Sequence, residues 1–438
     1  MPQLAGFQSD EHFARELDRQ DPLAGQREAF FIPEDLNGNS AIYLCGNSLG
    51  PQPKAAAAAV EQVMDQWRRL AVRGHFSGER PWIQYHRSLQ PLFAAIIGAD
   101  PDEVIPMGTL TGNIHLLLST FYHPQGRRRK ILAIGGGFPS DRYALETMLA
   151  LRQMDLHPGG GFTPDEFIVQ IFPDPGEVLF SMETIHELIE ALGEELALVY
   201  LPAVPYTTGQ VLDLQAITAW AHEQGALAGF DLAHAAGNVP LRLHEWGVDF
   251  AAWCGYKYLS GGPGHGGGLY VHQRHVQNPR LVHPAGWWGN DPQTRFEMRP
   301  SFEPILTAER FQLSNPAVLA LAPMLASLTL YVDAGLDRIW EKSRKQSAYL
   351  LDLLDNHNTG DFKIITPRDP ALRGNQISIQ INGDAVVFAE QLLERGVVID
   401  ERPPHILRVA PMPLFNTYLD IWQFVQIFAD VLQREDWK

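Results

Sequence analysis

Short apolar runs and amphipathic stretches alternate along most of the chain, from residue 54 to residue 275. Lys54–Leu70 opens the series as a helix, with an alanine run followed by Val60, Val63, Met64 and Trp67 at three- and four-residue spacing. The runs Lys130–Ile134, Glu166–Ile171, Leu196–Leu201, Leu227–Asp231, Phe250–Cys254 and Gly268–His272 predict strands. Gly112–Phe121, Asp141–Gln153, Ser181–Leu192 and Leu214–Gln224 predict helices between them. Near-continuous apolar strands alternating with helices predict an α/β fold whose mostly parallel sheet is covered by helices on both faces. Upstream, residues 1–40 read as an amphipathic helix and a turn-rich lead-in to a short strand, Ala41–Cys45. Beyond residue 310 a long helix precedes a second α/β stretch containing Gln376–Ile381, Ala385–Glu394, Gly396–Ile399 and His405–Val409. An amphipathic helix, Tyr418–Gln433, closes it. The pattern divides the chain into an N-terminal arm and pocket turn (1–50), a large domain (51–310) and a smaller C-terminal α/β domain (311–438).

Composition narrows the function classes. The 438 residues are 45% apolar, enough for two domains and a large core. Asp and Glu number 51 against 34 Lys and Arg, a formal charge of −17. Such a surface repels phosphate backbones and anionic lipid heads, so nucleic acid and membrane are not the expected partners. The basic run Arg127–Lys130 is short and reads as a solvated loop. The N-terminal stretch lacks the charged region and apolar core of a signal peptide. The apolar stretch Ala317–Val332 contains Pro323 and falls short of the about 18 residues a membrane span needs. Two cysteines, Cys45 and Cys254, make neither a disulfide framework nor a Cys-rich zinc site, and they suit a reducing cytosol. The expectation is a cytoplasmic α/β enzyme.

Several motifs lead nowhere. Gly46-Asn-Ser48-Leu-Gly50 matches a nucleophile elbow, but Pro51 and Pro53 delay the helix that an elbow requires at once. It reads instead as a turn lining a pocket. No H-E-x-x-H is present, and His272 and His275 sit in a polar loop with no carboxylate at ligand spacing, so no metal site is expected. Gly135-Gly-Gly137 follows a strand without forming G-x-G-x-x-G.

The lysines are more informative. Six of the seven lie among polar residues or at helix ends, where solvation is the default. Lys257 instead follows the apolar run Phe250–Cys254, between Tyr256 and Tyr258, and precedes a glycine-rich segment. Burial disfavours a charged ammonium, which is how lysines that form Schiff bases are prepared. Taken alone, Lys257 fits a structural lysine with its head at the surface equally well. Asp231 changes that reading, because an aspartate at the carboxyl end of a buried strand points into the ligand crevice of an α/β sheet. An acid and a lysine on nearby strand ends are what pyridoxal 5'-phosphate needs: the lysine holds its aldehyde and the carboxylate keeps its ring nitrogen protonated. Thr109-Leu-Thr-Gly-Asn113 opens a helix whose first amides suit the phosphate, although it fits a plain N-cap too.

The chain resembles kynureninase, a pyridoxal-phosphate family with the aspartate-aminotransferase fold type. The resemblance runs from Tyr43–Gly50 to Leu407–Pro413 and is most specific in FDLAHAAGNVPLRLHEWGVDFAAWCGYKYLSGGPG, residues 230–264. It implies hydrolysis of the bond between the β and γ carbons of kynurenine or 3-hydroxykynurenine, by a homodimer. It implies that Lys257 holds the cofactor and removes the α proton, with Tyr256 a phosphate ligand and proton donor and Asp231 the partner of the ring nitrogen. His234 is then within reach of the cofactor. Phe138-Pro-Ser140-Asp141 matches the segment in which the Phe stacks on the ring and the Asp faces it. Leu110 and Thr111 match the phosphate cup, Trp287 the indole that reaches the phosphate from the partner subunit, and Asn315 a further cofactor contact. Arg408 is similar to the arginine that forks onto the substrate carboxylate. Ser48, His75, Ser314 and Asn315 fall at substrate-contacting positions. The last three match the members that favour 3-hydroxykynurenine. Pro202 departs from the family, in which many members have Ser or Thr. Cysteine desulfurase or selenocysteine lyase shares the fold and lysine but needs a mobile-loop thiol, which neither cysteine provides. A non-catalytic relative would be expected to have lost Lys257 or Asp231, and both are present.

Overall fold

The computed structural model describes residues 6–156, 161, 163–264, 266–358, 360–434 and 437–438. Residues 1–5, part of the stretch read for a signal peptide, lie outside the described residues. The strands are β1 (Ile42–Tyr43), β2 (Val104–Met107), β3 (Lys130–Ile134), β4 (Ile168–Ile171), β5 (Leu196–Pro202), β6 (Leu227–Asp231), β7 (Phe250–Cys254) and β8 (Gly267–Val271). Seven of them form one sheet in the order β2-β8-β7-β6-β5-β3-β4. From β7 to β4 every pairing is parallel, while β8 runs antiparallel to both β7 and β2. The mostly parallel sheet predicted by the alternation is therefore present, with an antiparallel edge.

Burial on both faces follows from the composition of the strands. On β7, Phe250 and Ala252 face one apolar cluster and Ala251 and Trp253 the other. Phe250 stacks on Phe121 of the helix Leu110–Phe121 at 4.8 Å, and Trp253 meets Phe93 of the helix Gln90–Ile97 at 5.3 Å. Strand β2 escaped the sequence pattern because Pro106 interrupts a short run. As the edge strand it pairs only with β8, so the missing N–H is tolerated.

The C-terminal part adds β9 (Phe362–Ile364), β10 (Ile377–Ile381), β11 (Val397–Val398), β12 (Asp400–Arg402) and β13 (Ile406–Val409). Four of these form an antiparallel sheet, β12-β13-β10-β9, while β11 pairs in parallel with β1 from the N-terminal arm. The single long helix expected after residue 310 is two, Val318–Ala334 and Leu336–His357, bent by 82° about Gly335 at φ +85°. No single helix among the described residues is long and apolar enough to cross a membrane.

The arm is held by charge to the C-terminal helices Leu336–His357 and Tyr418–Arg434. The Asp18 carboxylate accepts from the amides of Tyr418 (2.7 Å) and Leu419 (3.1 Å), at the start of the helix Tyr418–Arg434. Arg27 donates to Asp420 at 2.7 Å. Lys342 pairs with Asp21 at 2.6 Å, both nearly inaccessible, and burial pulls the Lys342 ammonium below its usual range despite Asp21. The expectation that six lysines are solvated is thus wrong for Lys342, whose helix face is covered by a segment more than 300 residues away in sequence.

A second correction concerns His272 and His275. His275 lies 2.7 Å from the Asp249 carboxylate, and His272 lies 3.8 Å from Glu103. Both acids arrive from distant segments, where local spacing could not reveal them. Burial alone would raise Asp249, but hydrogen bonds from His222 and His275, the Arg274 charge and the Ala228 amide hold it well below the usual carboxylate range. Glu103, His244 and His272 are the one metal-like grouping among the described residues. Glu103 already accepts from the amides of Asp100 (3.0 Å) and Gln273 (2.7 Å) and from His244 (3.0 Å), so it ties the start of β2 to the segment after β8 and to the segment before β7.

The turn Gly46–Gly50 docks on the segment after β7, where the Gly50 amide donates to the Tyr256 carbonyl at 2.9 Å. A Cβ at Gly50 would lie 2.1 Å from Ser260 Oγ and 2.7 Å from the Lys257 carbonyl oxygen. Gly50→Ala must therefore displace backbone, and a thermal melt is expected to show a lower Tm, from strain of about 1–3 kcal/mol. Lys342→Met leaves buried carboxylates unpaired and is expected to destabilise by about 3–5 kcal/mol. Adding Asp21→Asn is expected to recover part of that loss; a double variant as unstable as the sum of the singles would contradict the pairing.

Candidate active site

The order of the strands places a crevice before any side chain is considered. From β3 the chain crosses to β4 on one side and returns to β5 on the other, so the loops at their carboxyl ends diverge. A cavity of about 300 Å³ opens there, lined by Ile134–Phe138 after β3, Pro202 and Val204–Thr207 after β5, Asp231 at the end of β6, and Tyr256 and Lys257 after β7. Leu110, Asp141, His234 and Ser48 complete its wall. Ser48 thus occupies the pocket-lining turn expected for it.

Two buried carboxylates form the floor. The Asp231 carboxylate accepts from the Ala233 amide at 2.7 Å. Burial raises its proton affinity, against the Lys257 charge and that amide. Asp141 lies in the first turn of the helix Pro139–Leu151 and is pushed well above the carboxylate range by burial and by Asp231 beside it. Like charges this close do not both ionise, so the pair retains a proton. Asp141 Oδ1 has no hydrogen-bond partner. A cationic N–H between the two would satisfy both, which is what a protonated pyridine nitrogen offers.

Above them stands Lys257, half-buried, with Nζ 3.1 Å from His234 Nε2. His234 Nδ1 lies 3.2 Å from the Tyr258 hydroxyl. Burial first, and then the charges of Lys257, Arg408 and Arg402, push His234 well below the ordinary imidazole range. It is neutral and can accept a hydrogen bond from the lysine. Tyr256 lines the same cavity, and its phenol is raised by burial and by Cys254.

Two helices begin beside this floor. Thr109 caps the helix Leu110–Phe121 by accepting from the Gly112 amide, leaving the amides of Leu110 and Thr111 without intrahelical acceptors. Thr111 Oγ1 and Ser140 Oγ lie 2.7 Å apart, tying that helix to the start of Pro139–Leu151. Paired N-termini with two hydroxyls suit a phosphate. Phe138 is exposed at the cavity and meets Tyr206 edge to face at 5.9 Å. The residues present therefore fit pyridoxal phosphate at three points: aldehyde, ring nitrogen and phosphate.

Other expected site residues are not brought to Lys257 within one chain. His75 and Asn315 line a separate cavity of about 420 Å³ with Trp67 and Trp82. Ser314 and Asn315 also line a third cavity with Thr109 and Gly112, on another side of the phosphate-cup helix. Trp287 donates to the Arg295 carbonyl at 3.1 Å and meets Phe296 edge to face. Arg408 is buried against Asp400 and does not line the Lys257 cavity; Arg402, two residues from Asp400, does. Arg402 and Tyr206 were not found in the sequence: Arg402 ends the short polar strand β12, which the apolar pattern does not predict, and Tyr206 lies outside any motif in the segment after β5.

The thiols fit no nucleophilic role. Burial pushes Cys45 up to about 12 and also raises Cys254, so neither is a thiolate near neutrality.

Comparison with known proteins agrees with this chemistry. Residues 339–428 match the model of the kynureninase C-terminal domain. The chain is 45% identical to the kynureninase of Koribacter versatilis (strain Ellin345) over 425 residues, covering 97% of this chain and 98% of that one. Among solved structures, a C-DES mutant with glycine covalently linked to its pyridoxal-phosphate cofactor superposes with a TM-score of 0.73 at 19% identity, over 89% of this chain and 96% of that one. The cysteine desulfurase of Thermococcus onnurineus NA1 gives 0.72 at 17%, over 92% and 97%. These distant structures share the fold, whereas the full-length identity shows the family: the chain belongs to the kynureninases, pyridoxal-phosphate-dependent hydrolases that cleave a carbon–carbon bond.

Proposed function

We propose that the protein hydrolyses the Cβ–Cγ bond of L-kynurenine and, preferentially, L-3-hydroxykynurenine, giving anthranilate or 3-hydroxyanthranilate and L-alanine. It does so as a cytoplasmic homodimer in tryptophan catabolism, supplying pyridine nucleotide biosynthesis. The observation that carries this reading is the convergence of Lys257, the Asp141–Asp231 pair and two helix N-termini on one cavity.

Bound there, pyridoxal phosphate would supply an electron sink for the charge left at the α carbon when its proton is removed and at the β carbon when the Cβ–Cγ bond breaks. The residues do the rest. Lys257 Nζ holds the cofactor's aldehyde and, once released, takes the α proton. Its neighbour His234, being neutral, does not repel the ammonium so formed. Asp231 and Asp141 keep a proton at the ring nitrogen. The amides of Leu110 and Thr111 and the hydroxyls of Thr111 and Ser140 hold the phosphate. Phe138 covers the ring, and Tyr256 delivers a proton during hydration and cleavage.

The substrate's aromatic end requires a second chain. His75, Ser314, Asn315 and Trp287 lie outside the Lys257 cavity; His75 and Asn315 share a cavity with exposed Trp67, and His75 also meets exposed Phe76. An apolar face of this kind marks an interface. Across a homodimer, His75 and Asn315 of one protomer meet the substrate held on Lys257 of the other. A pocket whose polar groups bond a 3-hydroxyl penalises the substrate lacking it, since those groups are left unpaired. Each unpaired group costs about 1–3 kcal/mol, or roughly 5- to 150-fold.

Accordingly, kcat/KM for 3-hydroxykynurenine is expected to exceed that for kynurenine by at least about tenfold. Equal values in the wild type, or a preference for kynurenine that survives replacing His75 and Asn315, would contradict the assignment. Hybrid dimers test the shared site. Lys257→Ala and His75→Ala subunits, each impaired alone, are expected to regain activity when unfolded together and refolded as a mixture, because one site in the hybrid is intact. No regain despite hybrid formation would place both residues in one chain's site.

A further inference from the structure

The antiparallel register of the C-terminal sheet places Asp400 directly opposite Arg408, and Arg402 two residues along β12 on the same face. The Asp400 carboxylate bridges the two arginines. It accepts from Arg402 Nη1 at 2.5 Å and Nη2 at 3.2 Å, and from Arg408 Nη2. Both guanidiniums also sit over the Tyr206 ring, at 5.9 and 5.7 Å. One carboxylate facing two fixed guanidiniums leaves one positive charge uncompensated beside the cavity that holds Lys257.

The two arginines differ in access. The Arg408 side chain is 1% exposed; its Nη atoms are engaged by Asp400 and the Tyr206 carbonyl (3.1 Å), and only its buried Nε lacks a partner. The Arg402 side chain is 37% exposed and lines the cavity itself. Resting on the reaction proposed above, we infer that Arg402 is a substrate-binding residue, the first cation that the α-carboxylate meets. In this arrangement Asp400 is the positioning residue that sets Arg402 and Arg408 at one carboxylate's width. Both arginines are engaged by Asp400, and Arg402 Nη1 donates to the Glu401 carbonyl as well. Arg408, however, is closed off from the cavity, whereas Arg402 lines it and presents its remaining N–H groups there. Charge-assisted bonds of this kind are among the stronger ones, and a guanidinium makes them in a planar fork that lysine lacks.

The test uses the holoenzyme and variants that leave the buried Arg408 in place. For Arg402→Gln, KM for the preferred kynurenine is expected to rise at least about tenfold, with kcat changed far less. The decarboxylated amine analogue of the substrate is expected to bind the variant and the wild type alike, and Arg402→Lys is expected to restore only part of the loss. Asp400→Asn is expected to raise KM as well, by releasing both arginines. A KM unchanged in Arg402→Gln, or an equal loss for the amine analogue, would overturn the inference. A separate reading keeps this distinct from the proposed reaction. L-Alanine binding, followed by the change in cofactor absorbance, is expected to weaken about tenfold or more in Arg402→Gln even should the wild type cleave no kynurenine. Unchanged alanine binding would remove Arg402 from the carboxylate site.

Discussion

Two carboxylates that cannot both be charged govern this molecule. Asp141 and Asp231 are buried side by side, one from a helix's first turn and one from a strand's end. Burial and Asp231 raise Asp141's affinity for protons, while burial raises Asp231 against Lys257, the Ala233 amide and the hydrogen bond with Asp141. Such a pair is costly for an empty fold, because desolvation and like-charge repulsion act together. A cation beside the pair would relieve that cost, and a protonated pyridine nitrogen would be such a cation if pyridoxal phosphate were held there by Lys257. The structure therefore stores at one point the requirement that its cofactor meets.

The rest of the fold brings other groups to that point and keeps them there. The strand order opens the crevice, two helix N-termini face it, and the turn ending at Gly50 seals the segment carrying Lys257. The C-terminal sheet contributes β12 and β13, whose register sets Asp400 against two arginines. The helices packed on that sheet are joined to the N-terminal arm through Asp18, Asp21 and Arg27. These elements meet at one cavity, lined by Asp141, Asp231, Lys257 and Arg402.

Much of this was legible in the residues. Strand–helix alternation is a local signal, and it gave the sheet, its parallel core and the carboxyl-end positions of Asp231 and Lys257. What escaped depends on contacts between distant segments. Pro106 hid an edge strand that only its neighbour β8 makes intelligible. Lys342 resembles any helical surface lysine until Asp21 covers it, and His275 looks unpartnered until Asp249 reaches it. The resemblance pointed to Arg408, which is buried against Asp400, and not to Arg402, which lines the cavity and is marked by a cross-strand register, not by a motif. His75 and Asn315 lie outside the cavity, and under the proposed function a second chain would bring them to it.

The most direct test of the carboxylate pair is the protonation of the ring nitrogen. Holoenzyme reconstituted with pyridoxal phosphate labelled with ¹⁵N in the ring reports it by NMR at neutral pH. The expected result is a protonated nitrogen in the wild type and an unprotonated one in Asp231→Asn. An unprotonated nitrogen in the wild type, or a proton retained unchanged in that variant, would contradict the account.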